Sequence, residues 1–174
     1  MAEVIGEYMW ISFGISLVAM VLQFLIAIPL GVMSATHQYG PLDYVVTIFT
    51  MIGISLPSFF LATLLIKVFS TTLGWLPMQG LTDAMKEYPG LAKVGGIIRH
   101  CILPVATLGI INIGGLMRYS RTNTLEVLNA DYIRTARAKG LSEHTVIYKH
   151  VFRNTMIPLV TMMAGILPSL FGGV

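Results

Sequence analysis

Four long stretches without a charged side chain dominate this sequence: Tyr8–Ala35 (28 residues), Tyr44–Ile66 (23), Cys101–Met117 (17) and Asn154–Val174 (21). About 20 residues at a 1.5 Å rise cross a hydrocarbon core roughly 30 Å thick. In that medium only helices and closed barrels satisfy every backbone polar group. The runs lack the period-2 alternation of a barrel strand, so they read as membrane helices. The 17-residue run is short and spans if its helix continues past Arg118. Composition agrees, with 11% charged residues where a soluble domain carries about 25%. The expected fold is an all-α integral membrane protein, a multi-helix transmembrane bundle forming one domain over residues 1–174. Its spans are expected at about 8–35, 44–70, 101–125 and 154–174.

The loops set the orientation. With the amino terminus outside, Arg118–Arg153 is cytoplasmic and holds seven of the eleven Lys/Arg, while Lys86, Lys93 and Arg99 lie outside. Lys/Arg bias, not net charge, decides topology, so this orientation is expected. Trp10 and Trp75 then both fall at the outer interface, where amphipathic indoles collect. Lys67, near the outer end of its helix, can snorkel its ammonium to the headgroups.

What the spans lack narrows the function. Ion-coupled carriers place Asp, Glu, His or Arg at mid-membrane as relays, and here the mid-span polar residues are Gln23, Asn112 and some Ser/Thr. Asn112 either lines a pathway or hydrogen-bonds a neighbouring helix, and the second reading is preferred. The sequence holds no selectivity filter, phosphate-binding Gly loop, HExxH or GxSxG. A single cysteine, Cys101, excludes an intramolecular disulfide and a Cys-rich metal site. No cofactor and no catalytic set are expected on this chain. Pro29, Pro57, Pro104, Pro158 and Pro168 fall in or beside the spans, where a bundle tolerates kinks. Gly31/Ala35 and Gly165/Ser169/Gly173 place small residues four apart, a spacing suited to close helix approach.

One segment differs from all this. Asp131–Asn154, "DYIRTARAKGLSEHTVIYKHVFRN", has five Lys/Arg, two acids, one Gly and no Pro. Asn129 or Asp131 can cap a helix running to about Lys139, with acid early and Arg134, Arg137 and Lys139 late, as the helix dipole prefers. Gly140 sits where a left-handed C′ glycine belongs. Ser142 can cap a second short helix with Glu143 in its first turn. Tyr132, Ile133 and Ala136 form an apolar stripe on the first helix, and Val146, Ile147, His150 and Val151 on the second. Three readings compete: an amphipathic loop on anionic lipid, a nucleic-acid contact, and a docking element for a cytoplasmic protein. Tethering at both ends disfavours nucleic acid. The sharp Gly–Leu–Ser corner favours docking over lipid, since a lipid-bound helix needs no fixed corner.

Tyr132–Val160, "YIRTARAKGLSEHTVIYKHVFRNTMIPLV", resembles the cytoplasmic-loop signature of binding-protein-dependent ABC transporter permeases. It looks most like the dipeptide/oligopeptide/nickel subfamily, and within it the first of two paired permeases. "IAIPLGV" (Ile26–Val32), "LDYVVT" (Leu42–Thr47), "GISLPSFFLATLL" (Gly53–Leu65), "LGWLPMQG" (Leu73–Gly80) and "HCILPVATLG" (His100–Gly109) agree in order. The resemblance implies a coupling-helix loop, about 126–153, that rests in a cleft on an ATPase subunit. Its coupling residues would be Tyr132, Ile133, Arg134, Thr135, Ala136, Arg137, Lys139, Gly140, Leu141 and Ser142. Thr135–Ala136–Arg137 and Gly140 lie at the family's Glu-Ala-Ala…Gly motif. The Glu is absent, with Arg134 or Thr135 in its place, which removes any salt bridge assigned to it.

The resemblance also implies partners. These are a homologous second permease, two cytoplasmic ATPase subunits that hydrolyse ATP, an external binding protein and membrane lipid, with no nucleic acid. The setting would be a bacterial or archaeal inner membrane, and the cargo a peptide or a related solute such as a nickel chelate. Asn112, Ser55 and Pro57 are the expected pathway residues, and Asp83, Lys86, Glu87 and Lys93 of the external loop the expected face toward the binding protein. Members of the subfamily typically have six membrane helices. The match begins near the second and stops within the fifth, so a longer parent chain is expected.

Overall fold

A computed structural model of the chain describes residues 2–80 and 91–172, and every described element is helical. Helix α1 is Ala2–Thr36, α2 Pro41–Ser55 and α3 Ser58–Leu65, which widens into a π-helical segment over Ile66–Thr72. Helix α4 is Leu91–Leu128 and α5 is Asp131–Ala138. Helix α6, Glu143–Thr145, runs through π-helical Val146–Val151 into α7, Phe152–Ile166, and a 3₁₀ turn over Leu167–Gly172. Met9–Thr36, Val94–Leu128 and Glu143–Leu170 are each long and apolar enough to cross a membrane.

The expected span at about 44–70 is occupied by two helices, α2 and α3 with its π segment, bent by 102° at the junction. The cause lies in "SLPS". The ring of Pro57 clashes with a helical conformation at the residue before it, and Leu56 accordingly adopts φ −89°, ψ 127°. Pro29, Pro104 and Pro158 stay within continuous helices. The run Cys101–Met117 is the middle of a helix of 38 residues, roughly 57 Å long at 1.5 Å per residue. It therefore extends well past Arg118.

Helix α1 packs along α4, and α2 crosses α4 beside it. Lipid tails are as apolar as leucine, so tight packing rather than hydrophobicity joins such helices. Small residues set the approach. A methyl group at Gly31 would lie 2.7 Å from the Met117 carbonyl oxygen and from Ser120 Cβ, which no relaxed contact permits. At the α2–α4 crossing, a Cβ on Gly53 or Gly114 would meet the carbonyl of Ile110 or Thr50 at 3.2 and 3.1 Å. Gly31 thus serves as its spacing suggests. Gly165 does not: a methyl group there would meet nothing within 4 Å, and Ser169 is exposed beside a cavity, so neither brings two helices into close contact. Gly173 lies outside the described residues.

The two ends of the bundle differ. At one end Trp10 lines a groove with Ile97 and Ile98, and Arg99 donates two hydrogen bonds to the Trp75 carbonyl, pinning segment 73–80 to α4. At the other, the 37–40 turn and α5 flank the far end of α4. Both indoles therefore share the end opposite α5, the arrangement that the interface reading requires. Asp83, Lys86, Glu87 and the side chain of Lys93 lie outside the described residues.

Candidate functional site

The amphipathic segment forms a braced corner. Helix α5 begins after Ala130, which makes no side-chain cap, so the expected Asn129 or Asp131 cap is replaced. The Asn129 amide donates instead to the Leu125 carbonyl, and Asp131 sits in the first turn, where its charge faces the positive end of the dipole. The helix ends at Gly140, whose φ of 78° is left-handed. The Gly140 amide bonds Arg137 O and the Leu141 amide bonds Ala136 O. Those two bonds define a Schellman stop. Ser142 then caps the next helix, its Oγ accepting from the Thr145 amide. That next helix is not the separate short one expected. It continues without a break into α7, so the corner is fixed directly to a membrane helix.

The inner face is packed. Ile133, Ala136, Val146 and Val151 form a buried cluster against Val127 and Leu128 at the end of α4. Val146 and Val151 would lie 140° apart on an α-helix at 100° per residue. The wider π turn between them narrows that angle and turns both inward. Burying an Ile or Val side chain stabilises by about 1.5–3 kcal/mol. Tyr132 departs from the expected stripe: one residue from Ile133, it points away and is 50% exposed. Leu141 and Tyr148 are exposed as well. Arg137 reaches across the corner to pair with Glu143, whose carboxylate raises the guanidinium above its ordinary value. Arg134, Thr135, Lys139 and Ser142 are exposed. The corner thus presents an outer surface of large apolar and cationic side chains on a rigid base.

A second constellation escaped the sequence reading. Arg121, on α4, pairs bidentately with Asp43 at the start of α2, Nε to Oδ1 at 2.7 Å and Nη2 to Oδ2 at 2.9 Å. Ser34, on α1, donates to Asp43 Oδ1, and the Tyr39 amide donates to Oδ2 at 3.0 Å. Asp43 is 4% exposed and Ser34 fully buried. Tyr39 takes a left-handed φ of 63°, uncommon without glycine. Three helices and a tight turn meet on one carboxylate. Charge counting hid this, because Arg121 read as one of seven topogenic cations and Asp43 as a loop residue.

The expected pathway residues do not converge. Asn112 is exposed and donates its side-chain amide to the Leu108 carbonyl of its own helix, with no bond to another of the described helices. It lines a cavity of about 400 Å³ with Ser16, Gln23 and Ser169. Ser55 lines a separate cavity of about 460 Å³ with Thr47, Arg118 and Arg121. Pro57 caps α3 and lines neither.

An all-helical, multi-pass membrane protein with a braced cationic corner at one end is the class that this architecture defines. Residues 27–174 match the family of binding-protein-dependent transport system inner membrane components, and the chain belongs to that family. It is 42% identical over 157 residues to the oligopeptide transport system permease protein AppB of Bacillus subtilis, covering 90% of this chain and 48% of that protein. It is 37% identical over 172 residues to a putative peptide transport system permease of Brucella suis, covering 99% and 53%. With the oligopeptide transport system permease protein OppB of Haemophilus influenzae it shares 34% over 161 residues, covering 92% and 49%. The chain spans about half the length of the curated relatives it matches.

Proposed function

We propose that this chain is part of the transmembrane permease subunit of an ATP-driven importer, carrying peptides or related small solutes such as nickel chelates. It catalyses no reaction itself. Two cytoplasmic ATPase subunits hydrolyse ATP, a homologous second permease completes the channel, and an external binding protein delivers cargo. The relatives named for peptide and oligopeptide transport support the cargo class. The coupling role of Asp131–Ser142 rests on one observation: the segment is rigid where it meets α4 and α7 and exposes Tyr132, Leu141 and Tyr148 where it meets solvent. Exposed large apolar residues at a water-facing corner mark an interaction surface. A Schellman stop and a buried cluster hold it in one shape, as a mechanical contact requires.

The test is retention of the ATPase. The full permease pair, purified in detergent with its ATPase subunits, should lose most of the bound ATPase when Tyr132 and Leu141 are both replaced by Ser. Neither residue is buried, so helix content should be unchanged. Undiminished ATPase retention by that variant contradicts the docking role and leaves the lipid-surface reading, which binding of the loop peptide to anionic vesicles would then support.

A further inference from the structure

We infer that Ser34, Asp43 and Arg121 form a rigid joint that carries displacement of the α5 corner into α1 and α2; this deepens the coupling role proposed above and rests on it. Contacts along α4 and at Arg121 carry it. Arg121 lies on the same unbroken helix that ends at Leu128, seven residues further on, or roughly 10 Å at 1.5 Å per residue. Two residues then lead into α5, and Ile133 and Ala136 pack back on Val127 and Leu128. The corner therefore cannot move without moving the end of α4.

At Arg121 that motion meets a locked contact. The guanidinium is held by two parallel bonds to Asp43 and a third to Ser34 Oγ at 3.2 Å. A bidentate Arg–carboxylate pair fixes direction as well as distance, so rotation of α4 carries the start of α2 with it. Ser34 extends the grip to α1. One residue before Arg121, the backbones of α1 and α4 are nearly in contact: Ser120 Oγ donates to the Ile28 carbonyl at 3.3 Å, and Gly31 leaves no room for a methyl group. The Tyr39 amide ties the α1–α2 turn to the same carboxylate. Contacts thus run from the corner through α4 to α1 and α2. Asp43 and Arg121 would then be positioning residues for transport, touching neither cargo nor nucleotide.

A merely stabilising pair and a transmitting joint predict different results. Arg121→Lys retains the charge but loses the two-point fork. The experiment uses the full permease pair with its ATPase subunits in proteoliposomes, with cargo-loaded binding protein outside. It reads cargo transported per ATP hydrolysed, alongside a His144→Cys crosslink to the ATPase in a Cys101→Ala background, His144 being exposed at the same corner. The expected result is about a tenfold fall in transport per ATP with crosslinking unchanged. Ser34→Ala, which removes one hydroxyl and leaves the ion pair, should show the same split at about threefold; it stands in if the lysine variant assembles poorly. A transport-per-ATP ratio within twofold of the parent in both, with crosslinking intact, overturns the joint alone. Loss of activity only in proportion to lost complex overturns it too. Absence of the crosslink in the parent overturns the coupling role and the joint together.

Discussion

Two arginine–carboxylate pairs at the same end of the bundle, Arg121–Asp43 and Arg137–Glu143, do opposite things. Arg121–Asp43 is buried, with side chains 27% and 6% exposed, and two further donors saturate the carboxylate. Arg137–Glu143 stands in solvent at 42% and 56%. Geometry alone would rank them together, since both arginines place two nitrogens on two oxygens. Burial separates them. An exposed pair is screened and gives about 0.2–1 kcal/mol, whereas removing one partner of a buried pair strands a charge and costs about 3–5 kcal/mol. The buried pair holds the bundle; the exposed one trims the angle of a corner that apolar packing already holds.

The largest expected effect follows from which partner is stranded. Arg121→Met leaves a carboxylate that is 6% exposed, so thermal unfolding in detergent should report a loss of about 3–5 kcal/mol. Asp43→Asn should cost less, because Arg121 retains 27% exposure and can turn to water. Equal costs for the two would break the burial argument. Next comes Ile133→Ala, which opens a cavity in the fully buried cluster under the corner. It should cost about 2–5 kcal/mol, seen as faster amide hydrogen exchange over 131–142 with the α1–α4 contact unaffected. Gly140→Val meets nothing within 4 Å. Its cost is purely that of a left-handed backbone, about 1–2 kcal/mol, and it should lower transport per ATP through a distorted corner. The smallest effect belongs to Glu143→Gln, under about 1 kcal/mol and fading with added salt. A salt-independent loss larger than that would place the outer pair with the inner one.

Some of this was legible in the sequence, and the division has physical reasons. Uncharged runs report spans because a charge in hydrocarbon is costly, so α1, α4 and the last helix show plainly in composition. Gly140 and Ser142 are readable because left-handed turns and helix caps are local matters decided within a few residues. The break at Leu56–Pro57 was marked by its proline, but Pro29, Pro104 and Pro158 carry the same mark inside continuous helices. The 102° angle is not local information. Asp43 and Arg121 are 78 residues apart in sequence, and nothing in the neighbourhood of either announces the other. Val146 and Val151 were expected on one apolar stripe and both are buried, though the π segment that brings them to the same face is not described by α-helical periodicity. Asn112, chosen for polarity in an apolar run, bonds its own helix and lines a cavity with Ser16, Gln23 and Ser169, a grouping set by helix packing that composition does not show.

A corner at Asp131–Ser142 that docks on an ATPase, as proposed, moves with it. The most direct measurement is crosslinking from His144→Cys to cysteines placed across the ATPase surface, in the assembled importer with Cys101 replaced by Ala, with and without a non-hydrolysed ATP analogue. The expected result is a crosslink confined to one cleft of the ATPase, with a yield that changes when the nucleotide is added. A corner that crosslinks to no ATPase position in either state, in a complex that still transports, would contradict it.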